Sequence, residues 1–260
     1  MRLRILTYNI HRAIGVDRRF RPDRVVEILE QHDADVALLQ EVDEGVPRSR
    51  EMDLARELAA AAGYPYVAVG HNVALRKGRY GNATLSRHPI VRERNIDLTV
   101  GLRKRRGCQH TEIRVAGSGR QGQSIDLFNV HLGLSARERD QQLRLLARSG
   151  ELAGLSAEAA CLLVGDFNDW RSLLRVALAG LGFRCATESS GVPTRPFATF
   201  PSFFPQGPLD RIYYRGPLHL HWARICRLRA SRVASDHLPV IAEFTLKPAR
   251  ILEEPAAPRR

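Results

Sequence analysis

Asp166 and Asn168 stand two residues apart where the apolar run CLLV ends, in the segment GDFNDW (165–170). Further along, SDHLPV (235–240) sets Asp236 and His237 directly ahead of another apolar run. Carboxylate, amide and imidazole groups at the end of a buried strand gain nothing from packing. They are costly there unless they are paired, hydrogen-bonded or bound to a cation. Metal-assisted chemistry is the reading that uses all four.

The same pattern recurs. LRILTYN ends at Asn9, VALLQE at Glu41 and IDLFNVH at His131, whereas Asp210 and Asp236-His237 open the runs DRIYY and LPVIAEF. If the strands that begin with a polar residue run antiparallel to those that end in one, all of these side chains meet at one sheet edge. Glu41, Asp166 and Asp236 are hard oxygen donors, and Asn9 and Asn168 add amides. Such a set suits Mg2+, with Mn2+ the alternative. Two histidines without a third or a cysteine make a poor zinc site.

The elements that would carry these residues can be read from periodicity. A first strand over 3–9 leads to a helix that starts at Arg21-Pro22 and turns Val25, Ile28 and Leu29 inward, with proline in a first-turn position. Residues 35–41 form a continuous apolar strand. Residues 50–62 look helical and stop at Gly63. Five strand candidates fill the middle. Residues 135–152 read as one amphipathic helix capped by Ser135, with Leu143, Leu146 and Leu152 inward. A strand at CLLVGD and a helix over WRSLLRVALAGLG follow, with Trp170 expected to anchor that helix, and strands complete the chain. Helices flank a strand-rich centre, so the expected fold is α/β: two packed mixed sheets with outer helices.

The 260 residues suit one domain, drawn over 1–247, with KPARILEEPAAPRR giving a flexible tail over 248–260. No run is long and apolar enough to span a membrane, and none resembles a signal peptide, so the cytoplasm is the expected location. The four scattered cysteines read as reduced. A formal charge of +12 suggests an anionic partner, nucleic acid or an anionic membrane surface. The excess is nearly all arginine, as a GC-rich genome would also give. The dense cluster 103–106 is either a loop touching phosphate or a solvated turn. Phe197, Phe200, Phe203 and Phe204 could line a lipid or base pocket. No obligate protein partner is evident.

TYNIH (7–11), LLQEV (38–42), NVHLGL (129–134), GDFNDW, LDRIY (209–213) and SDHLPV occur in the order found in the endonuclease/exonuclease/phosphatase superfamily, the DNase I-like proteins, which the chain resembles over nearly its whole length. It looks closest to a small bacterial branch of metal-dependent hydrolases. The resemblance implies a four-layered α/β sandwich with its site at one edge. It makes Glu41 the principal metal ligand, with Asn9 and Asp236 nearby. Asp166 and Asn168 fall between metal, attacking water and phosphate, His131 donates to a phosphate oxygen, and His237 pairs with Asp210. His11, Asn82 and Arg106 are candidates for substrate contacts at the rim. No glutamate in the Tyr80-Gly81-Asn82 region braces the first histidine, and Arg106-Gly107-Cys108 replaces a tyrosine signature of abasic-site endonucleases, so abasic-site repair drops in rank. The expected activity is a Mg2+-dependent phosphodiesterase acting on nucleic acid or a phospholipid-type diester. A phosphomonoesterase and a non-catalytic binding protein on the same fold are the alternatives. Either Asp166 or His237 could serve as the base.

Overall fold

The computed structural model describes residues 1–116, 122–188 and 195–247, and the expected tail over 248–260 lies outside them. Along the chain run β1 (Arg2–Asn9), α1 (Pro22–His32), β2 (Val36–Glu44), α2 (Leu54–Ala61), β3 (Tyr66–Ala74), β4 (Arg79–Ser86), β5 (Ile90–Asp97), β6 (Gly107–Val115) and β7 (Gln123–His131). Then follow α3 (Ala136–Arg148), α4 (Gly150–Ala153), β8 (Cys161–Asp166), α5 (Arg175–Gly180), β9 (Arg184–Cys185), β10 (Asp210–Arg215), β11 (Leu218–Ile225), α6 (Ser231–Ala234) and β12 (Val240–Leu246).

The strands form two six-stranded mixed sheets, ordered β11-β12-β1-β2-β4-β3 and β5-β6-β7-β8-β10-β9. Alternation along each strand sends one set of apolar side chains between the sheets and the other outward. Leu3, Ile5, Val36 and Leu38 of the first sheet meet Ile113, Leu127, Leu162 and Ile212 of the second in that shared core. Outside the first sheet, Leu6, Tyr8 and Leu39 pack under Val25, Ile28 and Leu29 of α1 and Leu54 and Leu58 of α2. Outside the second, Phe128, Val130 and Leu163 pack under Leu143 and Leu146 of α3 and Leu178 of α5. The result is the four-layered α/β sandwich.

Strand direction is as the polar ends require. β1 and β2 run parallel, as do β7 and β8, whereas β10 runs antiparallel to β8 and β12 antiparallel to β1. His131 pairs in register with Asp166, and Asp166 with Asp210, so three neighbouring strands deliver their polar residues side by side.

Helix boundaries depart from the periodicity. α2 starts at Leu54, with the Asp53 side chain accepting from the Arg56 N–H, because Arg50 and Glu51 adopt positive φ in the turn before it. The single helix expected over 135–152 is broken at Ser149. That residue is extended and caps α4 by accepting from Leu152 N. α5 begins at Arg175, and Trp170 does not anchor it: the indole is half-exposed and packs edge-on against Phe200, ring centroids 5.8 Å apart.

Candidate active site

Gly165 sets the site's geometry. It lies at φ +137°, and a Cβ there would stand 2.1 Å from the Val130 carbonyl oxygen. The absence of a side chain lets β8 lie tightly against β7, and the next residue is Asp166.

Asp166 is buried and lies at the centre of the cluster. Its Oδ2 accepts from Asn9 Nδ2 at 3.1 Å, and its Oδ1 accepts from the Asn168 backbone N–H at 2.9 Å. The same Oδ2 is 3.5 Å from His131 Nε2 and 3.8 Å from His237 Nε2. Asn168, at φ +51°, turns its amide back to donate to the Leu132 carbonyl at 3.0 Å. On the other side of His237, Nδ1 is 2.8 Å from Asp210 Oδ2, and the Phe200 ring lies 5.0 Å from the imidazole. Ser235 ties this turn to β1, donating to the Asn9 carbonyl at 2.7 Å and accepting from the His237 N–H at 3.2 Å.

Burial and charge divide these groups. Burial alone would push the His237 imidazole down, but the carboxylates of Asp210 and Asp166 outweigh it and raise the pKa to about 10. Asp166 is pushed up to about 6, chiefly by burial, with the Asp210 charge adding and the His237 charge opposing. His131 is held well below its ordinary range by burial and then by the charges of Arg106, His237 and Lys104. Near neutral pH the site therefore holds an imidazolium, a neutral imidazole and a carboxyl group poised to exchange its proton.

Glu41 occupies a separate corner. It sits at φ +59° within an irregularity of the β2–β4 ladder between Leu39 and Val42, which turns its side chain out of the strand's alternation. Its Oε2 is buried without a hydrogen bond, 3.6 Å from Arg12 Nε. Asn9 Oδ1 accepts from the His11 backbone N–H at 3.1 Å, and Asp236 Oδ1 lies 3.7 Å from His11 Nδ1. Of the rim candidates, His11 thus sits beside Asp236. Arg106 is buried, with its Nε unpaired and its charge felt at His131. Asn82 is buried and donates to backbone carbonyls, Asn129 at 2.9 Å and Gly107 at 3.4 Å. Its amide bridges the two sheets.

Other residues near the site did not emerge from the sequence reading. Arg12 faces Glu41, and Tyr80 has its hydroxyl pKa raised by burial and then by the Glu41 charge. Gln40 donates to Asn129 Oδ1 at 2.8 Å, and Asn129 donates to the Leu39 and Ala83 carbonyls, joining the sheets beneath the site. A polar residue inside a continuous apolar run was the available signal for both amides.

Three comparisons bear on this arrangement. The profile of the Endonuclease/Exonuclease/phosphatase family matches residues 6–237. The uncharacterized protein YbhP of Escherichia coli strain K12 is 33% identical over 254 residues, covering 94% of this chain and 96% of its own. An endonuclease/exonuclease/phosphatase structure from Beutenbergia cavernae superposes with a TM-score of 0.74 at 21% identity, covering 94% of this chain and 72% of its own. A mannosyl-6-phosphatase from Bacteroides thetaiotaomicron superposes at 0.70 and 19% identity, covering 94% and 99%.

Proposed function

The chain belongs to the endonuclease/exonuclease/phosphatase family, whose members hydrolyse phosphate esters, and from that premise we propose a phosphodiesterase that uses Mg2+ or Mn2+. The observation that carries the reading is the geometry of the cluster: Asp166 Oδ2 lies 3.5 Å from His131 Nε2 and 3.8 Å from His237 Nε2, with Asp210 holding the far side of His237 at 2.8 Å. A water attacking phosphorus needs a proton acceptor on one side and positive charge facing the phosphoryl oxygens on the other. Asp166 answers the first need and the His237 imidazolium the second. This favours Asp166 over His237 as the base.

The residues fit a divalent cation. Glu41 presents a buried carboxylate oxygen with no hydrogen-bond donor, and Asn9 and Asp236 supply further oxygens from the adjoining strand end and turn. Asp166, Asp210 and His237 also bring ligand atoms within 4.8 Å of one another. The 2.8 Å contact between His237 and Asp210 is that of a charge-assisted hydrogen bond, so that trio is assigned to proton handling. Glu41, Asn9 and Asp236 would hold the metal. When bound, it supplies Lewis-acid stabilisation of charge on the phosphate.

Each remaining role belongs to a named atom. Asn9 Nδ2 and Asn168 N–H orient the Asp166 carboxylate, which takes a proton from the attacking water. Asp210 accepts from Nδ1 of the His237 imidazolium and fixes the ring's orientation, leaving the Nε2 proton for a phosphoryl oxygen. Neutral His131 donates a further hydrogen bond. One P–O bond forms and one ester P–O bond breaks; the proton that the attacking water gave to Asp166 passes by way of solvent to the leaving alkoxide, giving an alcohol and a phosphate monoester.

The direct test is hydrolysis of plasmid DNA, abasic duplex, RNA, bis(4-nitrophenyl) phosphate and phospholipids with Mg2+ or Mn2+, beside Asp166→Asn and His237→Ala. Turnover that EDTA abolishes and both variants lose is expected. Metal-independent turnover, or undiminished variants, would sink the assignment. A phosphomonoesterase is the second reading, motivated by the mannosyl-6-phosphatase likeness. A sugar phosphate hydrolysed faster than any diester would establish it.

A further inference from the structure

Seven large apolar side chains are more than half exposed among the described residues, and all seven lie on segments that adjoin the site strands. Leu102 is in the loop before β6. Leu134 follows His131 by three residues. Trp170, Leu173 and Val176 follow Asp166. Phe203 and Phe204 are in the loop before Asp210. Scattered exposed leucines are ordinary on any protein surface. Less exposed apolar side chains such as Met1, Val16, Val91 and Leu145 are of that kind and lie elsewhere, whereas the seven most exposed gather on segments that flank the site.

The segments are tied to the catalytic groups. Trp170 packs against Phe200, which packs against the His237 ring. Ser202, next to Phe203, donates its backbone N–H to the Asp236 carbonyl at 2.7 Å and its hydroxyl to the Ser235 carbonyl at 2.7 Å. The loop carrying Leu102 reaches α3 through Arg103 and Glu138 at 3.5 Å, one turn beyond Leu134.

Charge selects the occupant. Arg103, Lys104, Arg105, Arg137, Arg171 and Arg232 are exposed among these apolar tips. Across residues 98–106, 132–137, 167–176, 200–207 and 230–237 the carboxylates are Asp169, which is buried, and Asp236, which stands at the site beside His11. Apolar tips interleaved with cations, with no exposed acid outside the site itself, complement an anionic lipid surface, where the tips enter the headgroup region and the cations meet phosphate. Nucleic acid would also meet the cations. A duplex is held mainly by phosphate contacts and a single strand by aromatic stacking as well, and the four aliphatic tips of the seven serve neither.

We infer that this rim docks on an anionic phospholipid bilayer and that the substrate is a phospholipid phosphodiester presented at its surface. The substrate half of the inference rests on the phosphodiesterase reading, whereas docking does not. The test is flotation of the full chain with vesicles of phosphatidylcholine containing about 30% phosphatidylglycerol, in EDTA, against pure phosphatidylcholine. Binding to the anionic vesicles is expected, with a blue shift of Trp170 emission in a Trp222→Phe background. A Leu134→Ser/Phe203→Ser/Phe204→Ser variant and an Arg105→Glu/Arg171→Glu variant should each lose at least about tenfold in partition. Both should keep wild-type turnover of soluble bis(4-nitrophenyl) phosphate. Absence of vesicle binding, or undiminished binding by the variants, would overturn the docking. So would a solution dimer that the rim variants dissociate, or a single-stranded oligonucleotide affinity that the serine variant loses. Vesicle binding by a protein inert toward every diester would uphold the docking and overturn the phosphodiesterase.

Discussion

Replacing Asp210 by asparagine isolates the charge that defines the site. The His237 pKa rises from 6.5 to about 10 although burial opposes it, and Asp210 is the first of the groups that raise it. At about 1.4 kcal/mol per tenfold change in proton affinity, the rise corresponds to roughly 5 kcal/mol favouring the imidazolium. Asp210→Asn keeps the shape of the side chain and removes its charge. Burial then gains on the remaining attraction from Asp166, and the imidazole returns toward its ordinary range. In EDTA, the imidazole resonances of His237, assigned by their absence in His237→Ala, should titrate near pH 10 in the wild type and several pH units lower in the variant. Because the imidazolium is then lost near neutrality, hydrolysis at pH 7.5 should fall by about 10²- to 10⁴-fold. The alkaline limb of the pH–rate profile should move to lower pH in parallel. A variant whose His237 still titrated near pH 10 would refute the claim that Asp210 holds the proton there.

Three further outcomes follow from separate features. Glu41→Asn suits the positive φ at that position but removes the carboxylate; Mn2+ at about 100 times its Kd should stabilise the wild type by about 2.7 kcal/mol and leave the variant's melting temperature unchanged. Gly165→Ala would press a Cβ to 2.1 Å from the Val130 carbonyl at φ +137°, so chemical denaturation should register a loss of about 3 kcal/mol or more. His32 is buried with both ring nitrogens unpartnered, and burial, then Arg224 and Arg4, lowers its pKa to about 4. The unfolded chain binds that proton from pH 6.5 downward and the native chain does not. Its contribution is therefore complete above pH 6.5 and declines toward pH 4 by up to about 3 kcal/mol, a slope that His32→Leu should flatten in urea titrations at successive pH values.

Strand identity and the polar ends were legible because apolar runs stop abruptly at Asn9, His131 and Asp166, and antiparallel order could be inferred from Asp210 and Asp236 opening theirs. Less was legible where a tertiary constraint decides. The Ser149 break in α3–α4 depends on a cap that competes with continued helix. The ladder irregularity that turns Glu41 outward looks like unbroken strand in VALLQEV. Asn82, Gln40 and Asn129 are neighbours only because β4, β2 and β7 face one another across the sandwich. Proton affinities are further removed from sequence. Asp166 and His237 acquire theirs from groups distant along the chain, and from burial that exists only after the sheets pack.

The arginine excess gains a meaning that composition withheld. Among the described residues Arg106, Arg139 and Arg211 are buried, and two of them brace loops: Arg139 donates to the Leu134 carbonyl at 2.6 Å and faces Asp169 at 3.6 Å, and Arg211 donates to the Pro208 carbonyl at 2.9 Å and the Ser172 hydroxyl at 2.7 Å. A guanidinium offers five donors in a fixed plane, so one side chain can satisfy several loop carbonyls at once. Leu134 and Ser172 belong to segments that carry exposed apolar tips. These two buried arginines thus hold the loops that display Leu134 and Leu173, and exposed ones such as Arg137 and Arg171 stand beside those tips. Net charge alone would equate the two groups. Their burial separates a scaffold from a contact surface, and only the exposed group is expected to respond to salt.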